Sequence, residues 1–189
     1  MSSLLKDKKK DVLVLEKSSS IGGRLSTKPI GQQIVDYGCQ YIKPKTATSV
    51  YLAGKLESLG LLREINFDTN ERVFIAPFGM NKIPQYFSRS TRVLTNALVN
   101  RISHKKKGWE VFTDAGSFLS SSVVLTMPIA QVEILLRKSD LESFSLPKVD
   151  YLDFHTCTFI SDKHSIGDLI SKNESFPWIC NNSKKGLRN

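Results

Sequence analysis

Glu16 closes the short apolar run Asp11-Val-Leu-Val-Leu-Glu16, and Gly22-Gly23-Arg24 follows just beyond it. In a dinucleotide-binding fold a carboxylate at a strand end accepts hydrogen bonds from both hydroxyls of a ribose. A glycine pair lets backbone amides approach a pyrophosphate because no β-carbon intrudes, and an arginine adds a charge-assisted clamp. The joint pattern V-L-V-L-E-K-x-x-x-x-G-G-R is more specific than any of its pieces. The same residues also suit a plainer account, in which Glu16 is a strand-end acid and the glycines form a turn. Spacing alone favours neither.

The phosphate-binding turn that should accompany such an acid stands elsewhere in the pattern. The fingerprint G-x-G-x-x-G lies about 20 residues ahead of the ribose acid, with a further strand in front of it. Only 15 residues precede Glu16, and the first glycine is Gly22. The first strand and the glycine-rich turn are therefore expected to be missing, because Met1 to Lys10 is too polar and basic to replace a buried strand.

The elements that must position these residues follow from periodicity. Residues 11–16 read as a strand buried on both faces of a parallel sheet. The spacing of Val50, Leu52, Ala53, Leu56 and Leu59 predicts a helix over 48–59, stopped by Gly60. Short β-type runs at 62–67 and 72–75 precede a short helix over 82–88. Residues 96–103 and 109–114 read as strands joined by a Lys-rich turn. Residues 117–119 and 122–126 add two more, the second apolar. Pro128 suits the first turn of a helix that Ala130, Val132, Ile134, Leu135 and Leu136 continue, and residues 149–161 are β-rich. Alternation of strands and helices that gives way to hairpins predicts an α/β layer with a mostly antiparallel region inserted into it.

Composition excludes several classes. The 189 residues carry 27 Lys plus Arg against 18 Asp plus Glu, a formal charge of +9, and are 40% hydrophobic and 24% charged. A disordered or collagen-like chain is excluded. The excess charge sits in three runs: residues 1–10, residues 101–107, and residues 181–189 with Lys184, Lys185 and Arg188. The remainder is nearly neutral, so these runs read as solvated ends and a hairpin tip rather than a nucleic-acid stripe. Cys39, Cys157 and Cys180 are far apart and form no C-x-x-C, and His104, His155 and His164 have no metal-ligand spacing. Neither a disulfide framework nor a metal is expected. With no apolar run of signal-peptide or membrane-span length, a cytoplasmic protein is expected.

Ser18–Ser20 and Ser120–Ser122 lack a nucleophile elbow and read as loops. His155 lies in the β-rich stretch with Phe154 and Phe159 nearby and is not expected to reach a substrate pocket. Asp150 and Asp153 would fall on opposite strand faces, which argues against a paired acid and base. Trp109 and Trp178 read as packing residues.

Six segments in order resemble the renalase-like branch of the FAD-dependent amine oxidase superfamily: V-L-E-K with G-G-R at 14–24, D-Y-G-C-Q-Y-I at 36–42, F-I-A-P-F-G-M-N at 74–81, G-W-E-V at 108–111, V-V-L-T-M-P at 123–128 and W-I-C-N-N-S-K-K at 178–185. The resemblance implies a partial FAD/NAD(P)-binding domain of Rossmann type over 1–45 and 91–135. It carries a mixed, largely antiparallel substrate domain over 46–90 and 136–189, incomplete at the end. It further implies that Glu16 holds the adenosine ribose, that Gly22, Gly23 and Arg24 line the pyrophosphate, and that Gln40 and Tyr41 lie beside the flavin. Val99 would meet the adenine through its backbone, and Pro128 would end the strand returning to the nucleotide domain. Cys39 stands where a small residue such as alanine is usual, for which packing is the simplest reason.

The implied activity is hydride transfer from a small reduced substrate, a dihydronicotinamide or an amine, to FAD and then to oxygen. No catalytic acid, base or nucleophile is assigned, because the cofactor accepts the electrons. The family pattern leads one to expect a chain shortened at both ends. The alternative is a non-catalytic remnant or interaction protein that no longer binds FAD.

Overall fold

The computed structural model describes residues 1–31, 33–65, 71–141, 143–152, 155–160, 170–171 and 179–185. In chain order the elements are α1 (Ser2–Asp7), β1 (Leu13–Leu15), β2 (Thr27–Ile30), β3 (Gln33–Asp36), α2 (Ala47–Ser58), β4 (Arg63–Ile65), β5 (Val73–Ile75), α3 (Lys82–Ser88), β6 (Arg92–Leu94), β7 (Val99–Lys105), β8 (Gly108–Thr113), β9 (Gly116–Ser120), α4 (Ile129–Arg137), β10 (Ile170–Ser171) and β11 (Ile179–Cys180). Short 3-10 turns span Gly23–Leu25 and Asn182–Lys185. The fold is mixed α/β, and its contacts divide it into two compact units: residues 1–20 with 90–154, and residues 21–89 with 155–189.

In the first unit β1 and β6 run parallel, with Leu13 opposite Arg92 and Leu15 opposite Leu94. The parallel pairing is the one expected, but the burial is not. Leu13, Val14 and Leu15 are all only partly buried, because the sheet among the described residues has two strands and neither face is fully covered. A three-stranded antiparallel sheet, β7-β8-β9, makes up the rest of the unit's β structure among the described residues. Its first connection is the two-residue turn Lys106–Lys107, where solvent takes the ammonium groups, and its second is Asp114–Ala115. Helix α4 lays Val132, Leu135 and Leu136 against Ile102 and Val111. Ser139 ties the two elements together: its hydroxyl donates to the Leu135 carbonyl at 2.7 Å and accepts from the Ile102 amide at 3.0 Å.

Two expected strands differ. Residues 122–126 form no strand, and although Val123 and Leu125 pack on this core, no ladder partner lies beside them among the described residues. Alternation selects an extended backbone, but a strand also needs a neighbour to take its amides. The described part of 149–161 is likewise without strand, and its residues are exposed, His155 included. Asp153 and Trp178 lie outside the described residues.

In the second unit, α2 begins at a reciprocal cap. The Thr46 hydroxyl accepts from the Ser49 amide at 3.2 Å, and the Ser49 hydroxyl accepts from the Thr46 amide at 2.9 Å. Its predicted apolar stripe is only half used: Ala53 and Leu56 are buried, while Val50, Leu52 and Leu59 are exposed. These two residues pack with Leu62, Phe74, Ala76, Met80 and Ile83 into the unit's core. Cys39 lies against that core, in keeping with a packing role.

Candidate functional site

In the first unit, β1 delivers Glu16 to the end of the parallel pair. Its backbone amide donates to the Leu94 carbonyl at 2.9 Å, and its own carbonyl accepts from Ala97 at 2.9 Å. The carboxylate turns onto the loop that follows, where Oε1 accepts from the Ser18 amide at 2.8 Å. No described residue occupies Oε2, so one oxygen of a half-buried carboxylate is left to accept from a ligand. Val99 opens β7 opposite Thr113, and the register shifts immediately after it. That bulge interrupts the ladder at the residue whose backbone was expected to meet a base.

In the second unit, Gly22 and Gly23 turn the chain with φ of +151° and +51°, conformations that favour glycine. A β-carbon at Gly23 would meet nothing within 4 Å, so the turn presents open backbone. Arg24 is exposed, and its guanidinium has no partner among the described residues. Its carbonyl is fixed from behind: it accepts from the Cys39 amide at 2.8 Å, and a β-carbon at Gly38 would collide with it. The glycine turn and the segment after β3 are thus packed as one piece.

That second segment carries a buried polar hub. Asp36 Oδ1 accepts from the Thr27 hydroxyl at 2.5 Å and the Met80 amide at 2.9 Å. Asp36 Oδ2 faces Lys185 Nζ at 3.1 Å, and the two side chains are 0% and 1% exposed. Lys185 also donates to Gln40 Oε1 at 2.7 Å. Gln40 Nε2 donates to the Asp36 carbonyl and, at 3.4 Å, to that of Gly38. The amide of Gln40 is therefore fully engaged inside the protein. Tyr41 is half-buried, its carbonyl accepts from the Cys39 thiol at 3.1 Å, and its ring lies 5.7 Å from Lys43 Nζ.

Burial pushes the thiols of Cys39 and Cys180 up from their ordinary value, and the Lys185 ammonium opposes the shift in both. Neither is poised as a nucleophile.

The expected residues thus divide by unit. Glu16 and Val99 belong to the first, and Gly22, Gly23, Arg24, Gln40 and Tyr41 to the second. Sequence reasoning missed Asp36 and Lys185 as a pair and counted Lys185 within a solvated terminal run. The available signal was Asp36 itself, an acid following Ile34 and Val35 in a strand that turns inward, since a buried carboxylate needs a cation or several donors.

The family model described as an NAD(P)-binding Rossmann-like domain matches residues 1–52. No curated protein matches the chain. The match supports an oxidoreductase that uses a dinucleotide, without separating FAD from NAD(P). Taken unit by unit, the described residues within it offer groups that could hold such a ligand: a carboxylate oxygen of Glu16 in the first unit, and in the second a glycine turn followed by a guanidinium with no partner among the described residues. The stretch before β1 is the short helix α1, which contains no glycine, and the first glycines of the matched stretch are Gly22 and Gly23. No helix among the described residues is long and apolar enough to cross a membrane.

Proposed function

We propose that this chain is a renalase-like, FAD-dependent oxidoreductase. The observation that supports the reading best is the parallel pairing of β1 with β6, in which β1 and the Glu16 that follows it lie within the stretch that matches a dinucleotide-binding model. In this reading Glu16 takes the adenosine ribose through the oxygen that Ser18 leaves open. Gly22, Gly23 and Arg24 follow the pyrophosphate, and Val99 meets the adenine through its backbone. Gln40 acts by holding the backbone carbonyls of Asp36 and Gly38, because its amide is already spent on them and on Lys185, and Tyr41 stands beside the reacting ring. Residues 1–45 and 91–135 then serve the nucleotide, and residues 46–90 and 136–189 serve the substrate.

The flavin, when bound, supplies the ring that accepts hydride from a small reduced substrate, a dihydronicotinamide or an amine, with oxygen as the final acceptor. The protein's part is to bind, orient and exclude water.

The test is direct. Purified protein is expected to carry flavin absorbance through gel filtration, or to take up added FAD, with Glu16→Ala and Arg24→Ala each weakening binding about tenfold. Saturable binding of NADH or NADPH without FAD would keep the dinucleotide and replace the flavin. A colourless protein that binds none of them overturns the reading and leaves a non-catalytic interaction protein.

A further inference from the structure

The second unit carries a groove of about 720 Å³ between the β2–β3 hairpin and α3, within the range of small-molecule sites. Ile34, Leu61, Phe78 and Tyr86 give it an apolar, partly aromatic lining. Phe78 is 56% exposed, a large ring face left uncovered. Among the described residues, Lys28 and Lys82 are the charged members of the lining, and no Asp or Glu contributes to it. Lys28 Nζ rests 4.4 Å from the centroid of the Tyr37 ring. Lys82 forms no ion pair among the described residues.

The wall that carries Phe78 is fixed rather than adaptable. Gly79 has a φ of +93°, and a β-carbon there would sit 2.8 Å from Thr27 Cγ2 and 2.9 Å from Thr27 Oγ1. On the far side of the glycine, the Met80 amide donates to buried Asp36 at 2.9 Å and the Asn81 amide donates to Thr27 Oγ1 at 3.1 Å. The turn is thus pinned to β2, and the groove is formed before any ligand arrives, which lowers the ordering cost of binding.

We propose that this groove binds a small planar aromatic anion, with the ring against Phe78 and Tyr86 and the anionic group towards Lys28 and Lys82. Aromatic faces favour offset or edge-on contact with a second ring. Two lysines with no carboxylate in the described lining select against a protonated amine, which would meet like charge there. This inference rests on the groove alone and holds whichever dinucleotide the chain uses.

The probe is 2-naphthoate, titrated into the full chain by calorimetry and by amide chemical-shift mapping. Controls are the cation 2-naphthylmethylammonium, the neutral 2-naphthalenemethanol and the non-aromatic cyclohexanecarboxylate. The anion is expected to bind saturably and to shift amides of residues 78–86, and the cation is not expected to saturate. Phe78→Ala and Lys82→Gln, both at exposed positions, are each expected to weaken binding about three- to tenfold. Their circular dichroism spectra are expected to match that of the parent. Equal affinity for cation and anion, an unchanged affinity in Phe78→Ala, shifts confined to residues outside the groove, or no saturation with 2-naphthoate at millimolar concentration would each overturn the proposal. If a variant fails to fold, the charge series and the shift map on the unaltered chain decide.

Discussion

Lys185 Nζ lies 3.1 Å from Asp36 Oδ2 in the second unit, although 149 residues separate them in the chain, and solvent reaches neither side chain appreciably. Through Asp36 this ammonium joins β3 to Thr27 and Met80, and through Gln40 Oε1 it reaches the segment behind the glycine turn. The Arg63 guanidinium grips the same residue by its carbonyl at 3.0 Å. Removing the ammonium leaves a buried carboxylate with two neutral donors among the described residues, the Thr27 hydroxyl and the Met80 amide. Lys185→Met is therefore expected to cost about 3–5 kcal/mol in urea unfolding, whereas Lys107→Met, at an exposed hairpin tip, should stay within about 0.5 kcal/mol. A small effect at Lys185 would mean that Asp36 does not depend on it.

Two glycines of the same unit should respond in opposite directions to alanine. At Gly79 the backbone is left-handed and the added methyl meets Thr27, so Gly79→Ala should destabilise by about 1–3 kcal/mol. Gly54 lies inside α2, where a β-carbon meets nothing within 4 Å. Gly54→Ala should stabilise by about 0.5–1 kcal/mol, because alanine loses less backbone entropy on joining a helix. Thermal melts of the two variants beside the parent measure both.

Thiol chemistry should separate the three cysteines. Cys157 is exposed, whereas Cys39 and Cys180 are part-buried with raised thiol pKa values. At pH 8, iodoacetamide is expected to label Cys157 about tenfold faster than the other two, as read by mass spectrometry of peptides. The same shifts fix the alkaline behaviour. The unfolded chain releases thiol protons near the ordinary value of 9.0 while the folded chain retains them, so stability is fully present below pH 9.0 and falls as pH rises past it. Cys180→Ala should flatten that decline.

On the acid side the relevant groups are Glu64 and Glu71. Arg72 bonds both oxygens of Glu64, at 2.9 and 2.7 Å, and Lys43 reaches Glu71 at 2.6 Å. These bonds hold both carboxyls below the ordinary 4.5. The stability they add is present above that value and is lost as pH falls through the depressed folded values. Both pairs are solvated, so their contribution is small and screened by salt. Arg72→Gln should be slightly less stable than the parent at pH 7 and indistinguishable from it at pH 2, in chemical denaturation at low salt.

Local signals in the sequence were sufficient for much of the secondary structure. Thr46 and Ser49 cap α2 and Gly60 follows its end, the Lys-rich stretch forms a hairpin tip, and α3 spans the expected residues. Each is set by neighbours a few residues apart, which is the range over which caps and turns act. The apolar run ending in Glu16 likewise announced a strand in a parallel pair.

What remained was decided by which distant groups meet. Residues 122–126 alternate as a strand does but find no ladder partner among the described residues, and β1 is only half covered because burial depends on the number of neighbouring strands. Lys185 looked like one more charge in a basic tail. Only the folded chain supplies the buried carboxylate of Asp36 that takes it out of water. Of the expected site residues, sequence could name Glu16, Arg24 and Gln40, but only tertiary structure shows that Arg24 stands open while the amide of Gln40 is fully used. Hydrogen-bond capacity is allotted by contacts that composition and spacing do not contain.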